Sequence, residues 1–86
     1  MNADGVEYYR QFAQRLSAVR SALQLSEEQA ALLAGVTPKT YRGWEAGKPV
    51  GTVKYLLALC RRSGVSAGYL MAGEGRIFLS DNGVRR

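Results

Sequence analysis

The strongest constraint on the fold is a short stretch that holds the start and end signals of two helices, with only a tight turn between them. Ser26 and Gln29 have the Ser-x-x-Gln spacing of a capping box, which starts a helix. Gly35 suits the left-handed conformation that ends one. Thr37 and Pro38 are an N-cap followed by proline at a first helical position, so another helix starts at once. The pattern predicts two short helices held close together.

Helical patterns continue on both sides of this pair. Apolar residues recur at three- and four-residue steps from Val6 to Leu23, which is the stripe of an amphipathic helix. Gly47 and Pro49 stop the second helix of the pair. Five helices are therefore predicted, over about residues 6–23, 27–34, 38–46, 53–62 and 67–72. The apolar run 76–80 that follows fits either a strand or an extension of the last helix.

The 86 residues leave room for one domain. We expect an all-α domain over residues 1–75 and a short tail over 76–86, which holds a candidate dimer strand, turn residues and a frayed cationic end. Tyr41 and Trp44 have the inward spacing of the third helix and are predicted to lie in the core. Cys60 lies in an apolar run, so it is predicted to be a small buried residue and not a reactive thiol.

Composition argues against an enzyme. The chain has no histidine and one cysteine, which excludes Cys–His and Ser–His nucleophilic pairs and the usual zinc sites. No cofactor and no metal is expected. The longest apolar stretches are far shorter than the roughly 20 residues that span a bilayer, and the N-terminus lacks a signal segment. We therefore expect a soluble, cytoplasmic protein without a membrane partner.

The charge distribution favours a polyanionic partner. The net charge is +5 and the isoelectric point is about 9.8. Residues 39–62 carry six cations and one acid, whereas residues 1–38 carry three cations and four acids. This concentration of positive charge around the third and fourth helices suits double-stranded DNA. A short helix pair with a glycine turn is also the arrangement that lays its second helix in the major groove.

A set of spaced residues extends this comparison beyond the turn. It comprises Arg20, Leu25-Ser26, Ala31, Gly35-Val36-Thr37, Thr40, Trp44-Glu45, Gly47, Gly64-Val65-Ser66 and Tyr69 to Gly75. In these positions the chain resembles the Cro and phage-repressor family of helix-turn-helix proteins, also called the xenobiotic-response-element family. The resemblance spans about residues 16–75. It implies a compact five-helix, lambda-repressor-like DNA-binding domain, usually dimeric, that reads a short palindrome.

The resemblance also implies which residues meet DNA. The base-reading face falls on Pro38, Lys39 and Gly43. Near the phosphates it places Ser26, Thr37, Thr40 and Arg42. The chain departs from the family pattern because Gly43 has no side chain and Pro38 has no donor, so Lys39 and Arg42 are the main candidates for reading bases.

Three further charged residues complete the predicted interface. Lys48 and Lys54 are expected to anchor phosphates without discriminating between sequences. Glu27 stands where the family often has a glutamine that touches DNA. Its carboxylate must point away from the phosphates, accept a hydrogen bond from a cytosine amine, or mark a copy that binds DNA weakly.

Two structural roles follow from the same resemblance. Arg20 and Glu45 are expected to form a partly buried ion pair that ties the first helix to the end of the third. A symmetric homodimer is expected to form through the fifth helix and the run after it. The predicted dimer residues are Tyr69, Leu70, Met71, Ile77, Phe78 and Leu79.

Two functions are compatible with these features. The first is a small transcription regulator, such as a phage-type repressor or the antitoxin of a toxin–antitoxin pair. The second is a protein-interaction module on the same fold with a weakened DNA face, in which Leu32, Leu33 and residues 77–79 supply apolar surface for a protein partner.

Overall fold

The computed structural model describes residues 3–79, and these residues form a bundle of five helices. The helices are α1 (Ala3–Leu23), α2 (Glu27–Ala34), α3 (Pro38–Glu45), α4 (Val53–Ser63) and α5 (Ala67–Ala72). The all-α, five-helix prediction is therefore confirmed. The predicted turn at residues 81–83 and the cationic end at 84–86 lie outside the described residues.

The capping signals act as the sequence predicts. The Ser26 hydroxyl accepts a hydrogen bond from the Gln29 amide at 3.0 Å, and the Gln29 side-chain oxygen accepts one from the Ser26 amide at 2.8 Å. Gly35 ends α2 with a left-handed φ of +81°. The Thr37 hydroxyl then accepts from the Thr40 amide at 3.2 Å and starts α3. These bonds satisfy backbone groups that a helix end otherwise leaves without partners.

The first helix differs from its predicted bounds at the start. It begins at Ala3, ahead of Val6, because the residues before Val6 lie outside the apolar stripe and periodicity cannot detect them. At the other end, Gln24 takes a left-handed φ of +58°, and Leu25 donates its amide to the Arg20 carbonyl at 3.1 Å. A glutamine thus fills the position that glycine usually takes after a helix.

One core holds the five helices together. α1 packs on α3 and α5, α2 packs on α3 and α4, and α4 contacts α5. The predicted core residues Tyr41 and Trp44 are 0% and 4% exposed, and Cys60 is buried. The other large buried side chains are Phe12, Leu16, Val19, Leu56, Leu59, Val65 and Leu70.

The chain after α5 returns to the bundle in an extended conformation. Val65 and Phe78 form an isolated antiparallel bridge. The Ser66 amide donates to the Ile77 carbonyl at 2.6 Å, and the Leu79 amide donates to the Gly64 carbonyl at 3.0 Å. Of the two alternatives for this run, the extended one is therefore correct over the described part.

One predicted dimer residue is corrected by the packing. Leu70 is fully buried, because it is the position of the six-residue α5 that directs its side chain deepest into the core. It is a core residue and is not available to a partner.

Arg15 donates to the Leu70 and Met71 carbonyls at 3.0 and 3.2 Å, and the Tyr8 hydroxyl donates to the Met71 carbonyl at 2.7 Å. These bonds from α1 satisfy the C-terminal carbonyls of α5.

Residues 3–79 contain no helix with the length and apolar character needed to cross a bilayer.

Candidate nucleic-acid interface

The turn between α2 and α3 is short and closed by backbone hydrogen bonds. The Gly35 and Val36 amides both donate to the Ala31 carbonyl, at 2.9 and 3.0 Å, and Val36 packs against the core. α3 then buries Tyr41 and Trp44, which fixes its rotation about its own axis. The opposite side of α3 therefore faces solvent in a defined orientation.

An ion pair holds the far end of α3 to α1, as the resemblance implied. The Arg20 guanidinium donates to both Glu45 oxygens, at 2.7 and 3.1 Å, and their side chains are 24% and 10% exposed. The Tyr41 hydroxyl donates to the same carboxylate at 2.5 Å. This bidentate geometry is the strongest form of the pair. It ties α3 to α1 through side chains that the core partly encloses.

The environment of this pair shifts all three pKa values. Burial raises the pKa of Glu45, but hydrogen bonds from Arg20 and Tyr41 outweigh it and leave the pKa below its ordinary value. The hydrogen bond to Glu45 raises the pKa of Arg20, and burial and the same carboxylate raise the pKa of Tyr41. The pair is therefore ionised, with a protonated phenol beside it, across the neutral range.

The exposed face of α3 carries the predicted DNA-binding residues of this helix. Lys39, Thr40 and Arg42 are exposed, and Pro38 is half-buried at the first helical position. The Thr37 hydroxyl donates to the Thr40 hydroxyl at 3.1 Å. The two threonines and the Ser26 hydroxyl are thus held by the helix caps and still border solvent.

Arg42 has an acidic partner that the sequence analysis missed. Its guanidinium lies 3.4 Å from the Glu28 carboxylate of α2, and both side chains are at least half exposed. The pair is 14 residues apart and depends on how α2 and α3 cross, so no periodic signal reveals it. Glu27, the acid that departs from the family pattern, is half-buried, and its charge contributes to the raised pKa of Arg20. Part of the positive charge of α3 is therefore already balanced.

The two lysines predicted to anchor phosphates lie in different settings. Lys48 follows α3 and lies against it, because its amide donates to the Gly43 carbonyl at 3.0 Å. A Cβ atom built on Gly43 would lie 3.4 Å from the Lys48 Cδ. Lys54 stands in the first turn of α4 with its ammonium 5.3 Å from the centre of the Tyr55 ring. Both lysines are exposed, but only Lys48 covers α3.

The remaining predicted surface residues divide by exposure. Phe78 and Leu79 are 41% and 73% exposed, whereas Tyr69, Met71 and Ile77 are half-buried against the core. On α2, Leu33 packs against the core and Leu32 is 78% exposed. Within residues 3–79, the most exposed apolar residues of the tail and of α2 are thus Leu79 and Leu32.

Comparison with known proteins bears on the helix pair and the helices around it. A helix-turn-helix family model matches residues 16–70, which include α2, α3 and α4, the C-terminal part of α1 and most of α5. The curated proteins and the solved structures contain no match. The matched family is regulatory and typically not enzymatic. Because the match covers more than half of the chain, the chain belongs to the Cro-type, xenobiotic-response-element-like helix-turn-helix family of DNA-binding regulators.

Proposed function

We propose that the chain is a small transcription regulator that binds double-stranded DNA sequence-specifically with α3 in the major groove. The observation that supports this most directly is the two-sided character of α3. Tyr41 and Trp44 fix its inner side, and Lys39 with its neighbours forms the outer side. A helix presented this way fits the groove, which is about 12 Å wide. The role is that of a phage-type repressor or an antitoxin.

The residues of the site divide into readers and anchors in this proposal. Lys39 lies in the first turn of α3, where its ammonium reaches guanine acceptors. Ser26, Thr37 and Thr40 border the helix starts and contact phosphate oxygens. Lys54 anchors phosphate from α4, whose N-cap Thr52 makes no side-chain cap bond. Arg42 contributes when its guanidinium leaves the Glu28 carboxylate and contacts DNA instead.

A gel-shift titration against mixed genomic fragments at two salt concentrations tests this function. We expect wild type to retain a subset of fragments and to bind more weakly at the higher salt concentration. Lys39→Ala should reduce the ratio of affinities for retained and random DNA by about tenfold, since a good base contact provides ~1–3 kcal/mol of discrimination. Arg61→Ala, an exposed cation at the far end of α4, is the charge-matched control.

The functional unit in this proposal is a symmetric homodimer. One module of this size covers little DNA, and two-fold pairing presents two α3 helices to half-sites about one turn, roughly 34 Å, apart. Tyr69, Met71, Ile77, Phe78 and Leu79 supply the pairing surface.

A second function, a protein-interaction module, is favoured by the exposed Leu32 and by the Glu28–Arg42 pair. A leucine 78% exposed on α2 is apolar surface without a partner inside residues 3–79, and the pair removes a free cation from α3. Failure of wild type to retain any DNA at low salt favours this function over the first. In that case, Leu32→Asp should abolish binding of the chain to its protein partner.

A further inference from the structure

We propose that Lys48, from the loop after α3, reads a base through the part of α3 that Gly43 leaves without a side chain. The inference rests on the DNA-binding function proposed above and names a specificity-determining residue for it. Position in the loop alone suggested a phosphate anchor. The contact between Lys48 and α3 favours the other role, and the two roles predict different effects of substitution.

Gly43 lies on the reading face, one helical turn after Lys39. The Lys48 amide is held at 3.0 Å by the Gly43 carbonyl, which brings the lysine back onto the helix that it has just left. Its Cδ atom lies 3.4 Å from where a Cβ of residue 43 would stand, and among residues 3–79 no other atom outside the neighbouring residues and the nearby helix backbone lies within 4 Å of that point. The lysine stem therefore lies in van der Waals contact with the place of a residue-43 Cβ, on a part of α3 that has no side chain of its own.

The charges on this face single out the same residue. Within residues 3–79, no acid lies within ion-pair distance of Lys39 or Lys48, whereas Arg42 is paired with Glu28. Lys48 is exposed, and one methylene separates its Cδ from the ammonium, so the charge lies close to α3 and in solvent. Packing of the stem on Gly43 also reduces the rotamer freedom that an isolated lysine must lose on binding. Lys39 on α3 and Lys48 packed against Gly43 thus border the same face of α3 without acidic partners in residues 3–79.

Chemistry predicts which bases these lysines select. Lysine donates to the O6 and N7 acceptors of guanine, whereas glutamine pairs with the N6 and N7 atoms of adenine. A lysine on a phosphate has no such preference and contributes affinity at every sequence. Substitution of Lys48 by glutamine therefore distinguishes a reader from an anchor.

The test is selection of bound duplexes from a pool with a randomised half-site, followed by sequencing, for the full chain and its variants. We expect wild type to select guanine at one position through Lys48. Lys48→Gln should move that preference to adenine, and Lys48→Ala should remove about tenfold of discrimination there while other positions keep theirs.

Lys54→Ala is the matched control, since it removes the same charge from α4 and should lower affinity without changing the selected sequence. If wild type selects a sequence and both Lys48→Gln and Lys48→Ala select the same one, Lys48 is not a reader, and the proposed function stands without it. If wild type binds no duplex or selects none, the proposed function and this inference both fail.

Discussion

Arg20 and Glu45 form the least exposed of the ion pairs among residues 3–79. Each partner is needed by the other, because the bidentate bond and the Tyr41 hydroxyl use both carboxylate oxygens. Removing one partner leaves a partly enclosed charge without compensation, which costs far more than removing the pair together. The pair therefore acts as a unit that positions the end of α3.

We predict that Arg20→Met lowers the free energy of unfolding by about 2–3 kcal/mol, since it leaves the Glu45 carboxylate in a half-closed site. Glu45→Gln alone should also destabilise, and the double variant should lose less than the two single losses combined. Urea unfolding of the four proteins measures the coupling. Strictly additive losses would show that the pair has no net interaction.

Acidification should weaken the fold through the same carboxylate. The pKa of Glu45 is held below its ordinary value of 4.5, so its contribution to stability is present above about pH 4.5 and is lost as the pH falls through the folded-state pKa. In thermal melts between about pH 3 and 6, the Tm of wild type should fall as the pH is lowered. The Tm of Glu45→Gln should change less over the same range. Glu7→Gln is the control, because the pKa of Glu7 is also lowered by its bond to Arg10 but that carboxyl is on the surface. Parallel profiles for wild type and Glu45→Gln would contradict the assignment.

Some residue roles are predictable from the sequence and others are not. The Arg20–Glu45 pair follows from a family resemblance, and Tyr41 and Trp44 follow from helical spacing. The Glu28–Arg42 pair and the contact of Lys48 with Gly43 depend on how a loop and two helices meet. Periodicity has no access to such contacts, because they are neither one turn apart nor part of a cap.

At the scale of helices, the chain is defined by how each helix starts and stops. Four of the five helices begin after a serine or threonine N-cap, and glycines with positive φ end α2, α4 and α5. These local signals predicted the bounds of α2, α3 and α5 closely. The start of α1 and the conformation of 76–80 were not predictable, because no cap or clear period marks them.

The end of α1 offers a test of the same principle. Gln24 is the one non-glycine residue among 3–79 with a positive φ, a conformation that costs an ordinary residue roughly 1 kcal/mol. We predict that Gln24→Gly raises the free energy of unfolding by about 0.5–1 kcal/mol, measured by urea unfolding, since glycine removes this strain. Ala18→Gly, at an exposed position inside α1, should lower it by about 1 kcal/mol. A loss of stability in both variants would show that the conformation of Gln24 costs little.

For the whole molecule, the distribution of cations predicts a salt-dependent affinity in which position matters more than total charge. Lys54 stands at the start of α4 and Arg61 at its other end, and both are exposed. Lys54→Ala should lower the slope of log affinity against log salt by about one unit and weaken preferred and random DNA equally. Arg61→Ala removes the same charge and should leave the slope near its wild-type value. A slope for Lys54→Ala that equals the wild-type slope would place the start of α4 away from the phosphates.

Two similarly exposed leucines allow the proposed dimer to be tested with a matched control. Leu79 in the tail and Leu32 on α2 are similarly exposed, at 73% and 78%, but only Leu79 belongs to the proposed dimer surface. The hydrogen bond that the Leu79 amide donates to the Gly64 carbonyl involves the backbone alone, so a changed side chain leaves the tail attached.

We therefore predict that wild type sediments as a dimer at high micromolar concentration and that Leu79→Asp shifts it toward monomer, because the proposed pairing surface would then have to bury a carboxylate from each protomer. Leu32→Asp adds the same charge at equal exposure and should remain dimeric. Since two α3 helices must reach half-sites about 34 Å apart, Leu79→Asp should also reduce affinity for a palindrome far more than affinity for a single half-site. A monomeric wild type, with and without DNA, would overturn the dimer. Dissociation by Leu32→Asp in place of Leu79→Asp would move the interface to α2.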